Sequence, residues 1–290
     1  MHRSGTSLAA RAAQLLGVSL GDPDRLMGPG PDNPAGYYEN RYIKELDDEL
    51  LSQLGGAWDH PPVLDPGWEH DPALDALRSQ AAALLASTFE PSAPVIGWKD
   101  PRCSLLLPFW RSVAPITTTI VVVRDPREVA DSLHTRNGMD LAHAALLWLR
   151  YLLAAVRNDP SHLIVRQRDF FVDLQGTLRR ISAHCALPPP TPEIEAEVAS
   201  NVDPALRHHV ARSDAPRNPL AALALEVWND GDVRAGAVPA GIGDAIAYGW
   251  IRAPVDNEAL VRARAEVVHL TERLRRRARE RKAAAAAQEQ

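Results

Sequence analysis

The clearest strand pattern in the chain is ITTTIVVVR at 116–124, β-branched almost throughout and without polar alternation. That pattern predicts a parallel strand covered on both faces. HLIVR at 162–166 reads as a second buried strand and PVIGW at 94–98 as a short third. Between and around them the apolar spacing turns helical. Tyr42, Ile43, Leu46, Leu50 and Leu54 recur at helical intervals over 38–54, ended by Gly55-Gly56. Further helices are predicted over 73–88, 102–113, 126–136 (with Pro126 in the first turn), 139–157 and 171–185. The stretch LAARAAQLLGV, from Leu8, is a good helix by propensity with Gly17 placed to stop it, and 18–37 and 60–72, rich in Gly, Pro and Asp, read as loops. Buried strands alternating with helices predict an α/β domain, a three-layer sandwich around a central parallel sheet. Residues 1–187 form its core in this reading. Residues 188–290 read as mostly helical, ending in a helix over 256–281 whose basic run RLRRRARERK is a solvated helix end.

Composition changes this picture little. The chain has 290 residues, 46% hydrophobic and 24% charged, which suits one large globular domain. A net charge of −5 argues against a nucleic-acid binder working through a broad basic surface, but leaves room for a local basic pocket. Two cysteines, Cys103 and Cys185, imply no disulfide framework. No apolar run reaches the roughly 18 residues of a membrane span, and no leader precedes the first motif, so the expectation is a cytoplasmic protein. Only three of the 32 basic residues are lysine (Lys44, Lys99 and Lys282), which draws notice to a lysine inside a motif.

Candidate chemistry begins at the first residues, MHRSGTS. Small and hydroxyl residues around Gly5, with Arg3 beside them and a helix following, suit an anion-binding turn, because backbone N–H groups and the positive helix end point the same way. GWKDPR (97–102) and VVVRDPREVADS (121–132) each put cations just after a predicted strand. Ligands of open parallel sheets bind outside the carboxyl ends of the strands, so all three loops should converge on one site.

These motifs together resemble the sulfotransferases that use 3′-phosphoadenosine 5′-phosphosulfate, over roughly residues 1–187. The resemblance implies a P-loop NTPase-like fold and no metal. It implies that Arg3, Ser4, Gly5, Thr6 and Ser7 hold the 5′-phosphosulfate, and that Arg124 and Ser132, eight residues apart, bind the 3′-phosphate. Glu39, in NPAGYYEN, is implied as the base that takes the acceptor's proton; a carboxylate complementing the helix dipole is its plain structural reading. His60 is the alternative base. Lys99, with Arg3 sharing the role, is implied to stabilise charge on the leaving oxygen; otherwise Lys99 is a strand-end lysine paired with Asp100. Arg102 either lines the site or pairs with Asp100 or Asp125, and Arg127 has no role. Relatives carry an adenine-contacting aromatic where this chain has Arg166-Gln167-Arg168. Trp98 as a substitute competes with a plain core role for it. The basic segment 206–217 is a candidate for closing over the nucleotide, or a solvated loop.

The anion turn should follow a buried strand, yet only Met1 precedes it. The first strand therefore reads as truncated, with the true start expected upstream. A Walker-type kinase loop needs Lys right after its second Gly and a Ser/Thr for magnesium, and Thr6 follows Gly5 here. The reading is therefore sulfuryl transfer to a small-molecule or glycan acceptor. A nucleotide kinase or a catalytically silent nucleotide-binding protein on the same fold are the alternatives.

Overall fold

The computed structural model describes residues 1–31, 33–159 and 161–202, with Ala221, Ala224, Leu225, Trp228 and Asn229 beyond them. The predicted 256–281 helix and the 206–217 segment lie outside the described residues.

Helix α1 (Thr6–Leu15) starts from Gly5, whose φ of 85° only glycine adopts without strain, and ends ahead of Gly17 at φ 112°. Helix α2 (Arg41–Gln53) is capped by Asn40, whose side chain accepts from the Tyr42 and Ile43 N–H groups at 3.0 and 3.3 Å. It buries Ile43, Leu46, Leu50 and Leu51, whereas Tyr42, expected in the apolar stripe, is 45% exposed, with the Arg25 guanidinium over its ring. Helix α3 (Asp75–Thr88) and helix α4 (Cys103–Val113) follow.

Strand β1 (Ile120–Val123) leads into α5 (Pro126–Asn137), which opens on an Asp125 cap with proline next and stops at Gly138. Helix α6 (Leu141–Asn158) is capped by Asp140, and strand β2 (Leu163–Arg166) returns to the sheet. The predicted 171–185 helix is two pieces, α7 (Asp169–Val172) and α8 (Leu174–His184). They part at Asp173, whose carboxylate leaves the helical path to cap the Gly176 N–H. Helix α9 (Pro192–Ser200) starts behind the Thr191 cap.

β1 and β2 pair in parallel, Ile120 opposite Leu163 through Val123 opposite Arg166, and the Gln167 N–H extends the ladder to the Val123 carbonyl. Val122 and Val165 pack with Ala9, Ala12, Leu16, Leu178, Ile181 and Val198 of α1, α8 and α9. Val123 and Ile164 face the larger core of α2–α6, which holds the fully buried Trp110, Trp148, Tyr151 and Phe109. Helices thus cover both faces of the sheet, as the unbroken apolar strands require.

The sheet is smaller than the sequence predicts. Among the described residues it has two strands, so the fold shown is mixed α/β, mostly helical, with a small parallel sheet. PVIGW contributes a single parallel bridge, Ile96 opposite Ser19, in which the Ser19 N–H donates to the Val95 carbonyl and the Gly97 N–H to the Ser19 carbonyl, and Pro94 has no N–H with which to extend it. Residues 116–119 do not extend β1. Thr118 and Thr119 spend their hydroxyls on His184 and Asp159, both at 2.5 Å. No described helix is long and apolar enough to cross a membrane.

Candidate functional site

One cleft of about 200 Å³ gathers the three basic loops. Its floor is the first turn of α1. Arg3 (φ 63°) and Gly5 (φ 85°) both take left-handed backbone, which turns the chain so that Gly5, Thr6, Ser7 and Leu8 line the cleft. No side chain caps α1. Its first N–H groups have no intrahelical acceptor and carry the helix's positive end. Gly5 is also fixed sterically: a Cβ there would lie 2.5 Å from Gln167 Cγ, beside the end of β2.

Arg124 follows β1 directly. Its Nε donates to Glu128 at 2.7 Å, its Nη1 donates to the Arg3 carbonyl at 3.4 Å, and its own carbonyl accepts from Trp148 Nε1 at 2.9 Å. Arg3 Nε donates to Ser132 Oγ at 2.8 Å, so the first loop and α5 are tied together from both sides.

Lys99 comes from the GWKDPR loop. Its ammonium donates to Glu39 Oε1 at 2.5 Å and to the Tyr37 carbonyl at 3.1 Å. That carbonyl also accepts from Ser7 Oγ at 3.2 Å. The proposed base and the proposed leaving-group cation therefore face one another across the cleft wall, beside the anion turn. Five cationic side chains (Arg3, Arg11, Lys99, Arg124, Arg136) line the cleft against one carboxylate, Glu39.

Of the residues singled out in the sequence, Arg3, Gly5, Thr6, Ser7, Glu39, Lys99 and Arg124 line this cleft; Ser4 and Ser132 do not. Ser4 is fully buried, its hydroxyl without a hydrogen-bond partner among the described residues, and Ser132 is buried beneath Arg3. His60 lies outside it, its side chain 59% exposed beside Asp59. Trp98 packs between Phe89 and Trp110 as a core residue. Arg127 pairs with Asp125 at 2.7 Å.

Arg102 belongs to a buried network behind the cleft. Its Nε donates to Asp48 at 2.6 Å and its Nη1 to Asp100 at 3.0 Å, and Asp100 also accepts the Arg102 N–H. Neighbouring Asp47 accepts from Trp110 Nε1 at 2.8 Å. Burial raises the Asp47 carboxyl well above its ordinary range, with the Asp100 charge adding to it. Burial raises Asp100 too, against the pull of Arg102.

Several lining residues escaped the sequence reading: His2 (read as part of the loop but given no role), Arg11, Asn33, Arg136, Gln167, Phe171 and Asn201. Arg136 had a usable signal, since it stands one helical turn after Ser132 on α5. Phe171 on α7 places an aromatic at the cleft where the 166–168 triplet has none. His2 packs tilted against Trp58 and edge-on against Tyr151, with ring centroids 4.6 and 5.8 Å apart, and its Nε2 is buried without a partner among the described residues. Burial, then the nearby Arg102 charge, holds its imidazole well below the usual range, so it is neutral at pH 7. Arg11 is held by Glu197 at 2.5 Å. Among the described residues no group of His, Cys, Asp and Glu is placed to hold a metal ion.

No protein-family model, no curated protein and no solved structure matches the chain.

Proposed function

We propose that this protein is a sulfotransferase, moving a sulfuryl group from 3′-phosphoadenosine 5′-phosphosulfate to an acceptor hydroxyl or amine. The observation that carries the reading is the convergence of Arg3, Lys99 and Arg124, from three separate loops, on the uncapped N-terminus of α1. Such a cleft suits a ligand bearing more than one phosphate-like group.

The first turn of α1 receives the phosphosulfate, with Arg3 beside it, and Arg124 takes the 3′-phosphate. Ser132 serves through Arg3, which it holds by a hydrogen bond, rather than by facing the ligand. Glu39 accepts the acceptor's proton as the acceptor atom attacks sulfur. The sulfur–oxygen bond to the phosphate then breaks, and Lys99 meets the charge that develops on the departing oxygen. Without ligand Lys99 is paired with Glu39. An incoming anion competes for the ammonium and leaves the carboxylate free to act as base. Phe171 supplies an apolar face for the adenine.

Calorimetric titration with 3′,5′-adenosine bisphosphate, and in parallel with ATP plus magnesium, tests this. The expected result is binding of the bisphosphate, indifferent to magnesium. Arg124→Ala should weaken it about 10- to 100-fold, the worth of a hydrogen bond to a charged group. Binding of magnesium-ATP alone would move the protein to the kinases, and binding of neither would sink the reading.

A further inference from the structure

Ser7 has one hydroxyl proton, and its surroundings fix where that proton goes. Asn33 Nδ2 donates into Ser7 Oγ at 3.0 Å, which turns the proton toward another acceptor, and the Tyr37 carbonyl receives it at 3.2 Å. That carbonyl accepts Lys99 Nζ, and Lys99 continues to Glu39. Asn33 also donates to the Gly36 carbonyl at 2.6 Å, while its backbone exchanges two hydrogen bonds with Gly30 and its carbonyl takes the Gly36 N–H. One side chain thus closes the 33–39 loop and orients a hydroxyl in the first turn of α1. Tyr38, at φ 57°, holds a backbone region uncommon for a non-glycine residue, so the loop needs fixing from outside.

We propose that Asn33 is a positioning residue: through Ser7 and the Tyr37 carbonyl, it sets the anion turn and Lys99 in register with each other. This rests on the sulfotransferase reading above.

The test is a double-mutant cycle of Asn33→Ala and Ser7→Ala, with Asn33→Asp added, read by 3′,5′-adenosine bisphosphate affinity and by thermal melting. Asn33→Ala should weaken binding about five- to tenfold, the scale of one neutral hydrogen bond. It should add almost nothing in the Ser7→Ala background. Asn33→Asp keeps the shape but cannot donate while ionised, so it should bind no better than Asn33→Ala. Wild-type affinity in Asn33→Asp, or additive effects in the cycle, overturns the proposal. If the wild type itself does not bind the bisphosphate, the functional reading has failed, and melting then decides the Asn33–Ser7 link alone. Coupled melting shifts support that link, and additive ones remove it.

Discussion

Lys99 and Arg102 stand three residues apart in one basic loop, yet they do opposite things. The Lys99 ammonium lines the cleft, held by one carboxylate and one carbonyl. The Arg102 guanidinium is turned inward, 5% exposed, between Asp48 and Asp100. The chemistry of the two side chains explains the division. A guanidinium fork can satisfy two carboxylates at once with little hydration to lose, whereas an ammonium is a compact point charge that exchanges partners readily. Motif reading treats the loop as one cation-bearing unit. The fold splits it into a ligand-facing half and a structural half.

The most damaging single change should therefore be Arg102→Ala. It strips the counter-charge from buried Asp100 and leaves Asp47 beside it, the situation in which breaking a buried pair costs about 3–5 kcal/mol. The sign of its pH dependence follows. Both carboxyls sit above their unfolded range, so the folded state holds protons that the unfolded chain gives up near pH 4, and stability falls as pH rises through the folded values. Without Arg102 the fall is steeper. Urea titrations should show a larger deficit against wild type at pH 8 than at pH 5. A deficit equal at both values would mean that Arg102 contributes packing rather than charge.

Lys99→Ala should reverse the pattern. Glu39 is left near the other cations of the cleft, so the midpoint of unfolding should move much less than in Arg102→Ala. Transfer activity, once an acceptor is found, should drop about 100-fold, as when one preorganised donor to a developing charge is removed. Comparable destabilisation by the two variants would erase the distinction drawn between them. If activity survives, Lys99 is a wall residue, and Arg3 must carry the leaving-group role.

The sequence exposes much of this arrangement and hides a definable part. Apolar spacing, with Gly55-Gly56 and Pro126 as boundaries, places α2, α5 and α6 to within a few residues, and the structure starts them at the local caps Asn40, Asp125 and Asp140. The convergence of the three basic loops was also legible, since GWKDPR and VVVRDPR each follow a run that reads as a strand and the first loop has the makings of an anion turn. The failures are long-range. Whether PVIGW becomes a strand depends on a partner edge, and among the described residues it bridges only to Ser19. That Ser4 turns inward while Ser7 faces the cleft depends on left-handed backbone at Arg3 and Gly5, which residue type alone permits but does not require. Phe171 lines the cleft from the short α7, which Asp173 separates from a helix that the apolar pattern reads as continuous over 171–185.

The smallest effect sharpens the contrast from the outer end of the buried network. Asp48 accepts from Arg102 Nε at 2.6 Å on one side and from Lys44 Nζ at 2.7 Å on the other, but its own side chain is 39% exposed. Solvent screens both pairs, and exposed ion pairs contribute about 1 kcal/mol or less. Asp48→Asn should therefore cost under about 1 kcal/mol in urea unfolding, the more so because Asp100 still holds the guanidinium. The Asn33 network lies on the far side of Lys99, so bisphosphate affinity should not change. A loss approaching that of Arg102→Ala would show that Asp48, and not buried Asp100, fixes the arginine. The structural half of the loop would then be anchored at the surface, through the middle of α2, rather than from within the core.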